Sequence, residues 1–232
     1  MHENIDRILF TEDEIKQRVA EIGAGITQDY KDDPDGVILI SVLRGAAIFM
    51  ADLARQIQLP CEMDYMAVSS YGNGVKSSGV VRILKDLSSQ IEGRNVVIAE
   101  DVLDSGLTLT YLLKTLKARN PKSIEVATLL RKKTRAQAKI DCAYVGFECP
   151  DEFIVGYGLD YAERYRNLPY IGVLKPELYN SESKAYAAKQ QTPDPTAQPP
   201  DNHHLGCPFP AGGLLRGPAV HEHVGVFAGH HR

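Results

Sequence analysis

The strongest constraint on the fold is a series of uninterrupted apolar runs spaced by amphipathic stretches. "VILISVL" (37–43) and "NVVIA" (95–99) show little polar alternation, and "SIEVATLL" (123–130) reads as a further strand. Such runs suit parallel strands covered on both faces rather than strands with one wet side. Between them, residues 45–58 read as a helix with Pro60 beyond its end, and residues 107–119 as a helix stopped at Asn120-Pro121. Strand and helix in alternation predict an α/β fold: a central, mainly parallel sheet flanked by helices. Ahead of the first run, Thr11 and Glu14 have the spacing of a capping box. Ile15, Val19, Ile22 and Ile26 then recur on one helical face, and "DPDG" forms a turn. "CEMDYMAV" (61–68) reads as a strand, followed by the polar loop "SSYGNGVKSSG" and a second run, "VVRIL". No internal repeat or second domain is visible, and a small flap or hood is expected around residues 140–178.

The pattern stops near Tyr179. Residues 181–232 hold seven of the 13 prolines and six of the seven histidines, without sustained periodicity. This composition cannot bury enough apolar surface to offset its ordering entropy, so the expected division is a domain over 1–180 and a disordered tail over 181–232. The tail histidines read first as part of a flexible segment, with metal binding the alternative. Charges in the tail balance, so the net charge of -4 belongs to the rest of the chain. That mild acidity argues against a nucleic-acid partner. No apolar run approaches a membrane span and no leader is apparent, so no membrane partner is expected. Cys61, Cys142, Cys149 and Cys207 form no CxxC pair, which suits a reducing, cytoplasmic setting and disfavours zinc.

The most pointed chemistry follows the run at 95–99, where the chain continues "EDVLDSGLT". Ligands of open α/β sheets bind beyond the carboxyl ends of the strands, where Glu100 and Asp101 are expected. The small residues of "DSGLT" lead into a helix, and loop N–H groups with a helix N-terminus make a phosphate site. Ser105 and Thr108 can add hydroxyl donors. An anion cradle beside two carboxylates able to accept bonds from vicinal hydroxyls suits a phosphorylated sugar. Asp104 as a simple helix cap is the alternative, although it leaves the Glu100-Asp101 pair without a role.

These residues carry a resemblance. "VVIAEDVLDSGLTLTYLL" resembles the phosphoribosyl-diphosphate signature of type I phosphoribosyltransferases. "SVLRGAAIFMADL", "SSYGNGVKSSGVVRILKDL" and "VGFECPDEFIVGYGLDYAERYRNLPYIGVL" are similar to the bacterial hypoxanthine (hypoxanthine-guanine) branch, in the same order, over about residues 5–178. The resemblance implies purine salvage: phosphoribosyl diphosphate and an oxopurine base give a nucleoside monophosphate and diphosphate, with Mg2+ as cofactor. It implies that Glu100 and Asp101 hold the ribose hydroxyls and position magnesium. Asp104, Ser105, Gly106, Leu107 and Thr108 would wrap the 5′-phosphate, with Asp104 also the general base at purine N7. Arg44, Gly45 and Arg166 would bind the diphosphate, and Ser70 and Tyr71 would belong to a lid above it. Lys132 would read the 6-oxo group, Phe153 would stack on the base, and Ile154 would contact it through its backbone. Asp160 would lie near the purine 2-position and a second magnesium. The family often has a cis peptide at the position of Leu43–Arg44, and it assembles as homodimers or homotetramers.

Outside that context several of these residues read more plainly. "RKKTR" would be a solvated basic run, Phe153 a core aromatic, Asp160 and Arg166 surface charges, and "SSYGNGVKSSG" a long hairpin loop. Two other classes compete with this reading. A nucleotide-sensing regulator of transcription or RNA on this fold would call for a basic face or an added DNA-binding segment. A dinucleotide-binding domain would call for GxGxxG after a strand, where this chain has an acidic loop. A xanthine-preferring transferase is the nearest alternative in chemistry.

Overall fold

The computed structural model describes residues 2–70, 81–132 and 140–179. Its central sheet has six strands in the order β4-β3-β2-β5-β6-β7: β2 (Val37–Leu43), β3 (Cys61–Ser70), β4 (Val81–Lys85), β5 (Asn95–Leu103), β6 (Ser123–Lys132) and β7 (Tyr144–Cys149). Every neighbouring pair runs parallel except β3 with β4. The uniformly apolar runs are therefore the inner strands, as their composition demands.

Each face of the sheet has its own core. On one, α1 (Glu12–Tyr30) and α2 (Ala47–Ala54) bury Ile15, Val19, Ile22, Ile26, Phe49, Met50 and Leu53 against Val37, Leu39, Val97 and Ala99. On the other, α3 (Leu107–Lys117) packs Leu109, Leu112 and Leu116 against Ile38, Ile40, Val96, Ile98 and Val126. Alternate residues of β2 and β5 thus serve opposite cores, which follows from the two-residue period of a strand. The capping box is present: Glu14 N–H donates to Thr11 Oγ1 (3.3 Å), and Thr11 N–H donates to Glu14 Oε2 (2.8 Å).

A smaller antiparallel sheet, β1-β9-β8, forms the hood from β1 (Ile5–Phe10), β8 (Ile154–Val155) and β9 (Ile171–Leu174). It corrects the expected flap over 140–178 in two ways. β7 belongs to the central sheet, and the hood recruits β1 from the opposite end of the chain. β1 was not anticipated because residues 5–10 alternate only weakly, and pairing with β9 rather than local propensity makes them a strand.

Element ends also differ from expectation. The second helix spans Ala47–Ala54 rather than 45–58, and the third ends at Lys117 rather than 119, with the residues beyond each in turns. The tail expected from residue 181 and the lid residue Tyr71 lie outside the described residues, while Ser70 is the last residue of β3. No described helix is long and apolar enough to cross a membrane.

Candidate active site

The acidic pair is inside a strand. Ladder pairing carries β5 through Leu103, where Leu103 lies opposite Arg131, so Glu100 and Asp101 stand in its last turns of pleat rather than past its end. Burial, joined by the charge of Asp101, pushes the Glu100 carboxyl up to about 8. Burial also raises Asp101, against the opposing pull of the Val102 N–H, which donates to Asp101 Oδ1 at 2.9 Å, and of Arg166. Two carboxylates so placed repel one another and favour any cation that joins them.

After the pair, Asp104, Ser105 and Gly106 turn the chain into α3. Gly106 is the N-cap, at φ +74, and no side chain caps the helix. Asp104 is therefore not the cap, which removes the plainer explanation for it. The left-handed φ favours glycine, and the first N–H groups of α3 are left to an external acceptor. An anion is the natural occupant of such an N-terminus.

At the end of neighbouring β6, Lys132 stands between two carboxylates: its Nζ is 3.9 Å from Asp104 Oδ2 and 3.8 Å from Asp151 Oδ1. The strand end turns this lysine inward, so it leaves the basic run in which the sequence places it. Phe153 is 37% exposed at the start of the hood. Ile154 begins β8 and is buried, its backbone paired to Val173.

The turn after β2 carries Arg44 and Gly45, and the Leu43–Arg44 peptide is cis. Gly45 lies close against the acidic pair, since a Cβ there would lie 1.9 Å from Asp101 Oδ2 and displace that carboxylate. Gly158, at φ +101, presses on the same turn from the hood, and a Cβ on it would lie 2.1 Å from the Gly45 carbonyl oxygen. The same hood segment is tied by Arg166, which donates from Nη1 to the Gly158 carbonyl (2.7 Å) and pairs through Nη2 with Asp160 (2.7 Å). Glu163 links back to Arg44 at 2.9 Å, and its N–H donates to Asp160 Oδ2 (2.9 Å). Carboxylate pair, turn and hood are thereby in direct contact.

The structure brings together Arg44, Gly45, Asp101, Asp160 and Arg166 in one network and pairs Asp104 with Lys132. Sequence reasoning missed Asp151, Gly158 and Glu163. Asp151 and Glu163 carried only a charge in an exposed-looking segment. Gly158 in "GYGLD" was visible as a glycine, but nothing local reveals that its neighbour is Gly45.

Hard oxygen ligands on one edge of the site suit Mg2+, which binds through one or two carboxylates plus substrate phosphates rather than a full protein cage. Glu100 and Asp101 fit that donor set, and the strained ionisation of Glu100 is the condition a divalent cation would relieve. Among the described residues no group of three or more His, Cys, Asp or Glu side chains forms a metal cage. Asp160 pairs with Arg166, and both charges are felt by Asp101.

Comparison with known proteins agrees with this geometry. The family model for the phosphoribosyl transferase domain matches residues 8–162. A hypoxanthine-guanine phosphoribosyltransferase of Bacillus subtilis is 54% identical over 181 residues, covering 78% of this chain and 99% of that protein. Its counterpart in Mycobacterium avium is 54% identical over 180 residues, covering 76% of this chain and 89% of the relative. Among solved structures, a hypoxanthine phosphoribosyltransferase of Staphylococcus aureus has a TM-score of 0.73 at 47% identity, covering 77% of this chain and 96% of its own. A site of carboxylate pair, open helix N-terminus and hood, on a chain with these relatives, leads to one conclusion: the chain belongs to the phosphoribosyltransferase family.

Proposed function

We propose that the protein transfers phosphoribose from phosphoribosyl diphosphate to hypoxanthine, and to guanine, yielding IMP or GMP and diphosphate. The observation that carries this reading is the Asp104–Lys132 pair at 3.9 Å, beside the uncapped start of α3. N7 and the 6-oxo oxygen lie side by side on one edge of an oxopurine. A carboxylate and an ammonium held next to one another complement that edge, one accepting from N7–H and the other donating to the oxygen. Adenine, with an amino group at position 6, would leave the lysine facing a donor.

In this reading the N–H groups of Ser105, Gly106, Leu107 and Thr108 hold the 5′-phosphate, and Glu100 and Asp101 accept from the ribose hydroxyls. Arg44, Gly45 and Arg166 hold the diphosphate. Phe153 stacks on the purine and Ile154 meets it through its backbone. Asp160 faces the 2-position, and Ser70 and Tyr71 shield the centre from water, which would otherwise compete for the sugar cation. As the bond from C1′ to diphosphate breaks, its electron pair leaves with the diphosphate and purine N9 bonds to C1′. Asp104 takes the N7 proton and stabilises the positive charge on the sugar. Bound at Glu100 and Asp101, with a second site at Asp160, magnesium would supply Lewis-acid neutralisation of the diphosphate.

The separated cysteines support a cytoplasmic setting: Cys61, Cys142 and Cys149 are free. Assembly as a homodimer or homotetramer is carried over from the resemblance. Incubation with phosphoribosyl diphosphate, magnesium and hypoxanthine should yield IMP, and parallel reactions with guanine, xanthine and adenine should rank the oxopurines above adenine. Failure to form product with any base would overturn the reading.

A further inference from the structure

The ring assigned to purine stacking is itself held by two tyrosines from later in the chain. Tyr179 lies against a face of Phe153, with centroids 5.0 Å apart and planes at 21°. Tyr161 meets it edge-on, at 5.3 Å and 89°. Phe153 nevertheless remains 37% exposed. Tyr179 thus backs one face of the ring, while the residue keeps exposed surface for a ligand.

Tyr179 is anchored rather than loosely placed. It ends a helical turn at 176–179, in which Leu178 N–H donates to the Lys175 carbonyl (3.1 Å). Tyr161 Oη donates to the Leu178 carbonyl (3.3 Å), which ties this turn to the second tyrosine. Directly before the turn, Leu174 N–H donates to the Phe153 carbonyl (2.9 Å). Backbone and ring of Phe153 are therefore gripped by the same short segment.

We propose that Tyr179 is a positioning residue of the purine site, backing Phe153 so that a bound purine completes a three-ring layer on the opposite face. The proposal rests on the stacking role of Phe153. A phenyl ring free to turn must be ordered when the base binds, at a cost in affinity. Tyr179 meets that cost during folding, because aromatic pairs in offset-stacked or edge geometry are favourable beyond their buried area. The tyrosine does not touch the purine in this arrangement, so its influence falls on purine affinity and not on proton transfer or diphosphate binding.

The test is steady-state kinetics of the full chain for Y179A, Y179F and F153A, with hypoxanthine and phosphoribosyl diphosphate varied in turn and thermal melting as a control. For Y179A the hypoxanthine KM should rise roughly two- to tenfold, while kcat and the phosphoribosyl diphosphate KM stay within about twofold of the parent. Y179F keeps the ring and should restore the parent values. An unchanged hypoxanthine KM in Y179A would overturn the proposal. So would a lowered one, which would mean that the tyrosine occupies the purine's place, or an equal rise for both substrates, which would mark general loosening. F153A separates the two assignments. If it raises the hypoxanthine KM while Y179A does not, only the role of Tyr179 falls. If F153A has no effect, the stacking assignment fails and the proposal with it.

Discussion

Asp104 and Gly158 show how differently a single residue can matter here. Asp104→Asn keeps size and hydrogen bonding but removes the base, so kcat should fall by roughly 100- to 10,000-fold with much smaller changes in KM. Single-turnover and steady-state measurements would check this; near-parental turnover would reduce Asp104 to a loop residue. Gly158→Ala acts through the backbone. Its Cβ would collide with the Gly45 carbonyl at 2.1 Å, and the turn at Arg44 and Gly45, proposed to hold the diphosphate, must give way. The phosphoribosyl diphosphate KM should rise by about tenfold or more, since misplacement by an ångström is costly. Gly93→Ala is the matched control, because Gly93 also has a left-handed φ (+70) but a Cβ there meets nothing within 4 Å. It should lose stability through strain alone and leave that KM unchanged. Residues of the first kind were legible in the sequence, because acids at a strand end have a chemical purpose that local context displays. Gly158, Asp151 and Glu163 were not, since their meaning comes from neighbours more than ten residues away in the chain.

Among the elements, β3 depends on a buried acid. Asp64 is 5% exposed on this strand, and its carboxylate accepts from the N–H groups of Tyr65 (2.7 Å), Ser88 (2.7 Å) and Ser89 (2.8 Å), with Lys85 Nζ at 3.4 Å. Burial alone would raise its pKa, but the bonds from Ser89, Tyr65 and Ser88 outweigh it and hold the carboxyl below the usual range. A depressed folded-state pKa means that Asp64 stabilises the fold above its unfolded pKa of about 3.9. That contribution fades as pH falls through the lower folded value. Asp64→Asn should therefore cost about 1–3 kcal/mol at pH 7, and the gap from the parent should narrow at pH 3. Urea unfolding at both pH values would show it; an equal gap at both would mean the charge plays no part. The inner strands of the central sheet and the helices between them could be read from the sequence, because burial on both faces leaves a compositional mark, whereas edge strand β7 was expected in the flap. Their ends were less legible. β5 extends to Leu103 because β6 continues beside it, and a partner strand leaves no trace in the residues it pairs with.

At the scale of the molecule, a parallel sheet and a hood divide the work. The sheet carries the acids and leads into the uncapped start of α3, and the hood supplies Phe153, Asp160 and Arg166. Truncation after Ser181 should leave activity and melting temperature near parental values, because the core elements end before it; loss of either would show that the remaining residues contribute. The hood's composition was the least legible part of the fold, since its strands come from opposite ends of the sequence. β1 pairs with β9 from Ile5↔Leu174 to Phe10↔Ile171, and the His2 N–H donates to Tyr170 Oη at 2.8 Å. During synthesis β1 must therefore wait, with its edge unpaired, until β9, the last described strand, has emerged. A nascent chain can assemble the inner sheet early, but the hood exists only once β9 emerges, so a chain stalled before Ile171 would carry the turn into α3 with no roof.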